Sequence, residues 1–402
     1  MSFGRVWNFT AASAVIAVIA LLAGGCSGRT EGTAVKSEAA APTATIDLTQ
    51  LDVGPYPTKP SPPLGEVGDP ARAVLIEAQR MANNVVGPWE VDPAMTTVFG
   101  PGAVVVQNAA ALTLLGPEGV AGAAGQHQLI NGFASARTAE GKTALLNAVL
   151  RFPDEASAAA ATADMGNASM QAVGPGGQKV PIPGHPDATA ASYPITSRTG
   201  GPDLTAVRSF TQHGPYVLMQ LAQSADGRDA AAALAAKTID LQGPAIDQFR
   251  ATDPSEFADI SLDPTGLLAR TLPVDPKDAA TVQDTTYERR GALHYQSDPT
   301  RSAKLFADTG MDLVAMAKAN VYQTKDSQSA GKIVDGFFAE LSPTSQPVKG
   351  VNHLDGSKCL QLQDKSFYCL AAADRYAIEI SGANLLEAQQ QTAAQYAMLM
   401  GG

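Results

Sequence analysis

Two cysteines ten residues apart near the carboxyl terminus, Cys359 and Cys369, are the residues whose type and spacing most directly suggest chemistry. They lie in KCLQLQDKSFYC, where apolar residues flank a polar centre at Asp364. A hairpin folded about Asp364 would place the cysteines opposite each other, and cross-strand partners have Cβ atoms about 4.5–5.5 Å apart. We therefore predict a disulfide, a bond typical of an oxidising compartment. A redox or metal pair is the alternative, although no histidine lies at ligand spacing.

The five histidines of the chain show none of the spacings typical of catalytic or metal sites. No two of them lie four residues apart, and none belongs to an HExxH motif. The chain also lacks a Gly-x-Ser-x-Gly elbow, a Ser-x-x-Lys motif with its partner motifs, a P-loop and a GxGxxG loop. The sequence therefore predicts no catalytic residue, no cofactor and no metal site.

Four polar or aromatic residues are candidates for a binding surface. Trp89 lies in GPWEVDP and is the only tryptophan beyond the amino-terminal apolar segment. Arg137 ends the strand-like GFASAR, and His294 and Tyr295 follow a charged Glu-Arg-Arg run. These side chains look exposed enough in the sequence to contact a ligand, but for each of them we favour packing or helix termination over ligand contact.

A third cysteine, Cys26, follows an apolar stretch from Phe9 to Gly25 that is preceded by Arg5. A basic start and an apolar run too short for a comfortable bilayer span are typical of an export signal. The residues Ala23-Gly24-Gly25-Cys26 resemble the bacterial lipoprotein box, in which the thiol receives a diacylglycerol and becomes the first residue. We therefore expect residues 1–25 to be a lipoprotein signal peptide and Cys26 to be lipidated. A plain signal peptide or short anchor is the alternative.

The net charge favours a lipid anchor over an electrostatic one. The whole chain carries −11, and removal of residues 1–25, with Arg5 as their one charge, leaves −12. Such an acidic protein is a poor partner for nucleic acid or for anionic lipid surfaces. Acyl chains on Cys26 would instead hold it on the extracytoplasmic face of the cell membrane, since each buried methylene contributes about 0.8 kcal/mol.

A spacer separates the predicted anchor from the body. Residues 26–68 are rich in Pro, Ala and Thr, and the prolines from Pro55 to Pro63 cannot join a sheet or a helix interior. We expect this segment to be disordered at first and then extended. The body then begins with a helix, for which Asp69 is a suitable N-cap and Pro70 a suitable first residue.

Two later regions show the same order of elements: a strand, a helix, about three strands and a second helix. In the first region, a strand over 142–152 precedes a helix that begins near Asp154. In the second, a strand over 311–324 precedes a helix that begins near Asp326. Short correspondences support the repeat: Tyr216 with Tyr376, and Ser209-Phe210 with Ser366-Phe367.

The repeat predicts an α+β fold of two similar units. Each unit would be an antiparallel sheet with helices packed on one face, and the two would form a pseudo-twofold body. The expected domains are a first unit at 69–250 that includes the opening helix, a connector at 251–290 and a second unit at 291–402.

Several quoted stretches together resemble a known family. With the lipoprotein box, the YPTKP spacer, GDPARAVLIEAQRMANNVVGPWEVDP and GFASAR followed by LLNAVLRFPDEASAAAA, the chain resembles an actinobacterial lipoprotein family of unknown function. The resemblance covers most of the mature chain, and it implies an envelope location and a two-part body. It transfers no catalytic residue. In topology alone, the repeat also resembles the extracellular part of a mycobacterial receptor Ser/Thr kinase.

Two functions remain open from the sequence. The first is a non-enzymatic envelope lipoprotein that binds a partner protein, a lipid or a glycan. The second is an envelope hydrolase with an unrecognised active site, which requires a cleft holding a perturbed carboxylate or a Ser/His pair. The anchor, the spacer, the duplicated body and the missing catalytic motifs favour the first.

Overall fold

The computed structural model describes residues 46–196, 201–275 and 277–401. The predicted signal peptide, residues 1–25, and the predicted lipidation site, Cys26, lie outside the described residues. The described residues belong to one compact unit that begins at Ile46.

Strands and helices alternate along the described chain. The strands are β1 (Thr97–Val98), β2 (Val104–Val106), β3 (Asn131–Ala139), β4 (Thr143–Arg151), β5 (Gln178–Lys179), β6 (Thr189–Ile195), β7 (Leu204–His213), β8 (Tyr216–Ser224), β9 (Thr285–Glu288), β10 (Leu313–Met316), β11 (Asn320–Gln323), β12 (Gln346–Val348), β13 (Lys358–Gln361), β14 (Phe367–Ala373) and β15 (Tyr376–Gly382). The helices are α1 (Pro70–Met81), α2 (Pro88–Val91), α3 (Glu118–Gln126), α4 (Glu155–Val173), α5 (Arg228–Ile246), α6 (Arg289–Leu293), α7 (Pro299–Thr309), α8 (Ser327–Leu341) and α9 (Leu385–Met400).

Two antiparallel sheets hold these strands in the part of the chain that the structure describes. The first sheet has eight strands, in the order β1-β3-β4-β8-β7-β6-β5, with β2 also paired to β3. The second has seven, in the order β12-β13-β14-β15-β11-β10-β9. The predicted α+β class with two similar units is confirmed. The edge strand β9 lies within the stretch 251–290 that the sequence predicts to be a connector.

The two sheets repeat the same topology. Strands β3-β4-β8-β7-β6-β5 correspond one by one to β10-β11-β15-β14-β13-β12, and helices α4 and α5 correspond to α8 and α9. The alignment extends to single residues, because Asp154 and Asp326 each cap the helix that follows by accepting from the main-chain N–H of a serine three residues later.

The hairpin turns fix the same register at the other end of the repeat. Tyr216 and Tyr376 each open the strand after a hairpin turn, so their predicted equivalence agrees with the strand pairing. Phe210, however, is equivalent to Leu370 and not to Phe367, because both Phe210 and Leu370 pair with the residue three places after the equivalent tyrosine. The Ser-Phe correspondence is therefore wrong by three residues.

The second repeat opens with a hairpin where the sequence predicts a single strand over 311–324. Strands β10 and β11 pair with each other across the short turn Ala317-Lys318-Ala319. The corresponding turn between β3 and β4 contains Gly141 at φ 72°, which is a recognisable turn signal. The second turn has no glycine, asparagine or proline, and nothing in its sequence marks it.

Each half carries its two long helices on opposite faces of its sheet, whereas the sequence predicts helices on one face. In β4, Leu145 and Val149 pack in the same cluster as α5, while Leu146 and Leu150 pack in the same cluster as α4. Both faces accept a helix because eight of the nine residues of β4 are buried.

One continuous cluster of buried side chains joins the two halves through faces that are not equivalent. The first half contributes Ala231 and Ala235 of α5, and the second contributes Ile333 and Phe337 of α8. Because α5 corresponds to α9 and not to α8, the halves meet head to tail. The predicted pseudo-twofold arrangement is therefore wrong.

Residues 46–68 pack along the body instead of forming a free spacer. Leu51 is buried in the apolar cluster of the second half, and the Tyr56 hydroxyl accepts a hydrogen bond of 3.0 Å from Gln391 of α9. The Val67 N–H donates to the carbonyl of Ile260 at 2.9 Å. The prolines keep the segment out of the sheets. The apolar residues between them pack against the body because burial of apolar surface is favourable.

Two local predictions are confirmed. The Asp69 carboxylate accepts from the Ala71 N–H, and α1 begins at Pro70. Cys359 and Cys369 lie directly opposite each other on β13 and β14 and form a disulfide.

Candidate functional site

The four residues predicted to form a binding surface lie together, but inside the molecule. Trp89, Arg137 and His294 are between 2 and 4% exposed, and Tyr295 is partly buried. The His294 ring lies 5.1 Å from the Trp89 ring and 4.9 Å from the Phe133 ring, measured between centroids. Although their sequence contexts suggest exposure, these side chains are largely buried, and their role in the structure is packing, not contact with a ligand. They pack the junction between the halves.

Arg137 connects the two halves through its guanidinium group. From β3 of the first half, its Nη2 donates to the carbonyls of His294 and Gln296 at 2.9 and 2.7 Å. Its Nη1 donates to the carbonyls of Thr96 and Ser297 at 2.8 and 3.4 Å. Burial lowers the pKa of Arg137, but an arginine remains charged in proteins. This one cation therefore fixes the backbone of residues 294–297, which link α6 to α7.

His294 is held neutral at this junction. Burial lowers its pKa to about 3, and the charges of Arg137 and Arg290 act in the same direction. Its Nε2 lies 3.1 Å from the carbonyl of Ala82, which identifies the protonated nitrogen in the neutral ring. Its Nδ1 has no hydrogen-bond partner among the described residues. His294 is therefore a packed core histidine.

The remaining paired histidines each contact an aspartate near the surface of the first half. The Nε2 atoms of His127, His185 and His213 lie 2.7–2.9 Å from the carboxylates of Asp164, Asp240 and Asp247 respectively. Within the described residues no hydroxyl or thiol donates to a histidine, and no group of three or more His, Cys, Asp and Glu side chains is arranged to hold a metal.

A polar pocket lies on the second sheet, beneath α8. It has a volume of about 90 Å³, and we call it the Glu379 pocket. Its polar lining comprises Glu379, Asn320, Tyr322, Tyr368, Glu340 and Gln296. Met316, Phe337, Leu341, Tyr295 and Ser297 complete its walls. Sequence reasoning missed it because its residues come from four strands, a helix and a loop.

The carboxylate of Glu379 is the centre of this pocket. Its Oε2 accepts hydrogen bonds from the Tyr322 hydroxyl at 2.5 Å and the Asn320 amide at 3.2 Å. Tyr368 also hydrogen-bonds to it. The Gln296 amide lies 3.3 Å from the Tyr322 hydroxyl, so the loop fixed by Arg137 reaches the pocket directly.

Burial perturbs the acidic groups of the pocket. It raises the pKa of Glu379, although the three donors act in the opposite direction. Burial also raises the pKa of Glu340, against the effect of the nearby Arg301. The pKa of Tyr322 and that of Tyr368 are raised well above 10 by burial and by the charge of Glu379, so both phenols remain donors.

The place in the first half that corresponds to the pocket lies beneath α4, and it can be compared with the pocket residue by residue. The register aligns three pocket residues with apolar residues beneath α4, and it aligns Tyr368 with Arg208, whose Nη1 donates to the carbonyl of Leu115 at 3.0 Å. The equivalent pairs are Glu379 with Met219, Asn320 with Ala148 and Tyr322 with Leu150. Met219, Ala148 and Leu150 are 0% exposed and belong to a continuous apolar cluster. The fold itself therefore does not require a carboxylate, an amide or a phenol at these three positions.

These features define a duplicated α+β protein with a polar pocket in its second half. The chain belongs to the DUF7373 family, a domain of unknown function: the N-terminal model of the family matches residues 64–262 and the C-terminal model matches residues 267–401. No curated protein matches the chain. None of the described helices is long and apolar enough to cross a membrane.

Among solved structures, the chain is similar to the extracellular domain of PknH from Mycobacterium tuberculosis. The match covers 40% of this chain and 93% of that one, with 12% sequence identity and a TM-score of 0.29. A similarity this weak carries no conclusion about the fold or the function of this chain.

Replacement of Arg137 by lysine should destabilise the protein by about 2–4 kcal/mol, because one ammonium cannot reach all four carbonyls and buried acceptors lose their donors. The free energy of unfolding can be followed by Trp89 fluorescence in urea. The matched control is Arg72→Lys, since Arg72 is exposed and contacts only Asp284, and it should change stability by less than about 0.5 kcal/mol. Equal stability of the two variants would contradict the role given to Arg137.

The neutral state of His294 should make the protein less stable in acid. Its pKa is about 3 in the folded chain and about 6.5 in the unfolded one, so the unfolded state binds the proton more readily below pH 6.5. Stability is lost as the pH falls from about 6.5 towards 3, by about 3 kcal/mol at pH 4.5 from this group. His294→Phe should remove that part of the pH dependence, measured as unfolding free energies at pH 7 and 4.5. His353→Asn, at an exposed position, should keep it.

Proposed function

We propose that this protein is a lipid-anchored, extracytoplasmic protein of the cell envelope that binds a ligand group in the Glu379 pocket and catalyses no reaction. The observation that carries the binding role is the contrast between the two halves. The positions of Glu379, Asn320 and Tyr322 line an open polar pocket in the second half, whereas the equivalent positions in the first half belong to a filled apolar cluster. Convergent polar groups with perturbed acidity in a concave site favour ligand binding.

The anchoring part of the proposal depends on Cys26 and its neighbours. The apolar run before it, the small residues at 23–25 and the resemblance to actinobacterial lipoproteins support acylation of this thiol. The Cys359–Cys369 disulfide supports export, because such bonds persist in oxidising compartments.

An envelope hydrolase is the second candidate, favoured by the presence of Glu340 and Glu379 in one pocket. Two carboxylates can serve as acid and base in hydrolysis. The pocket of about 90 Å³ is, however, smaller than the cavity of about 150 Å³ that holds one benzene molecule. A ring-sized part of a polymer does not fit there, and this supports binding of a smaller group.

The Cys26→Ala variant should lose both the label from a palmitate analogue and its sedimentation with membranes, because the thiol that carries the acyl chains is gone. A Cys359→Ala/Cys369→Ala variant controls for the removal of thiols and should retain both properties. Continued labelling or continued membrane attachment of Cys26→Ala would overturn the anchoring proposal.

Converting the pocket to apolar residue types, in the variant Asn320→Ala/Tyr322→Phe/Tyr368→Phe/Glu379→Met, should leave the thermal midpoint unchanged or raise it. A buried carboxylate and its donors are removed together, which is neutral or stabilising by about 1–4 kcal/mol. Glu379→Ala alone should cost about 1–3 kcal/mol, because it leaves three donors without their acceptor.

The same apolar variant separates the two candidate functions. A molecule that copurifies with the native protein and is lost from the variant supports binding. Release of product from envelope polymer by the native protein, abolished in the variant, would instead establish the hydrolase. A fall in stability of more than about 2 kcal/mol in the apolar variant would mean that the polar groups serve the fold.

A further inference from the structure

We propose that the Glu379 pocket binds a primary ammonium group that is carried by a larger molecule. The inference rests on the proposed function and specifies the chemical class of its ligand. It is carried by three features of the pocket: its unbalanced negative charge, its small volume and the kind of groups that line it.

The charge of the pocket is not balanced by the protein. Glu379 makes no ion pair with any of the described residues, and the groups that hydrogen-bond to it are neutral phenols and an amide. The nearest cation to the second carboxylate is Arg301, whose Nε lies 3.9 Å from Glu340. Buried charges in proteins are normally paired. A cationic ligand would complete the pair that Glu379 lacks.

A fully buried carboxylate of the same chain shows how a charge is paired inside this fold. Glu77 is fully buried and contacts both Arg80 and Arg151, and the N–H of Thr252 donates to it at 2.7 Å. The fold thus supplies cations where a buried carboxylate has a structural role. Beside Glu379 the fold has no such arginine among the described residues, and the space next to the carboxylate is the open pocket.

The volume of the pocket limits the ligand group to a few atoms. Its volume of about 90 Å³ is well below the cavity of about 150 Å³ that holds one benzene molecule. An ammonium with its adjoining methylenes fits this space. The rest of such a ligand must lie outside the pocket.

The lining favours an ammonium that carries hydrogens. Glu379, Glu340 and the amide oxygen of Asn320 are acceptors, and a primary ammonium has three donors to satisfy them. The rings of Tyr322 and Phe337, with centroids 5.2 Å apart, add aromatic surface that attracts cations. A quaternary ammonium has no N–H and would leave the acceptors unpaired.

The test is a saturation-transfer NMR titration of the full-length protein in detergent with ethylammonium. Its three heavy atoms limit the dissociation constant to about 1 mM. Ethanol is the neutral probe of equal size, and tetramethylammonium is the cation without N–H. Ethylammonium should bind at least tenfold more weakly to Glu379→Gln than to the native protein. Asp240→Asn, which removes one negative charge at the surface of the first half, should bind it unchanged.

The pH dependence provides a readout that a purely structural role would not move. Protons compete with the ammonium for Glu379, so affinity should fall as the pH is lowered from 8 to 5, and this dependence should vanish in Glu379→Gln. The ionisable groups that face Glu379 are Tyr322 on β11, Tyr368 on β14 and Glu340 on α8. Asp298 and Arg301, at the start of α7, influence Glu340.

Four outcomes overturn the inference. Equal binding of ethanol and ethylammonium, or equal binding of ethylammonium to the native protein and Glu379→Gln, excludes ammonium recognition but leaves the proposed function intact. Tighter binding of tetramethylammonium than of ethylammonium excludes the primary ammonium specifically. If neither these probes nor acetate and acetamide distinguish the native protein from the four-residue apolar variant, the inference and the proposed binding function both fail.

Discussion

The buried guanidinium of Arg137 is the interaction on which the arrangement of the two halves depends. It extends from the first sheet and binds three carbonyls of the second half, in the link between α6 and α7. Main-chain carbonyls at the end of a helix have few other partners, and only a cation with several fixed donors can satisfy so many at once. Trp89, Phe133 and His294 pack around it and exclude water, which strengthens each of these hydrogen bonds. The same link then places Gln296 in the Glu379 pocket. The geometry of the pocket in the second half is thus set in part by a residue of the first.

The sequence predicted the parts of the fold that local signals determine. Asp69-Pro70 marked the start of α1, the polar centre at Asp364 marked the hairpin that joins the cysteines, and the order of elements revealed the duplication. Local signals failed where the turn was built from ordinary residues, as at Ala317-Lys318-Ala319. They also failed to show which faces of the two sheets meet, because both faces of a strand such as β4 are apolar.

The candidate site was beyond sequence reasoning for a related reason. In YAIEIS, Glu379 alternates with apolar neighbours, and this pattern indicates a strand face turned to solvent. Only the packing of α8 over that face partly buries the carboxylate, and Asn320 becomes its partner across 59 residues of chain through the register of β11 and β15. The opposite case is that of Trp89 and Arg137, which look exposed in the sequence but are buried at the junction between the halves. A tertiary contact decides both cases, and no local pattern encodes it.

The head-to-tail contact between the halves has a consequence for how such a molecule diverges. If the halves were related by a twofold axis, the two copies of a repeated residue would have the same neighbours. A substitution at that position would then have the same effect on packing in each half. Here the α8 face of the second half meets the first half, while the equivalent α4 face packs only against its own helices. A given repeat position is therefore exposed to different selective pressures in each copy from the moment of duplication. One copy can remain a scaffold while its twin acquires chemistry, without any loss of symmetry being needed first.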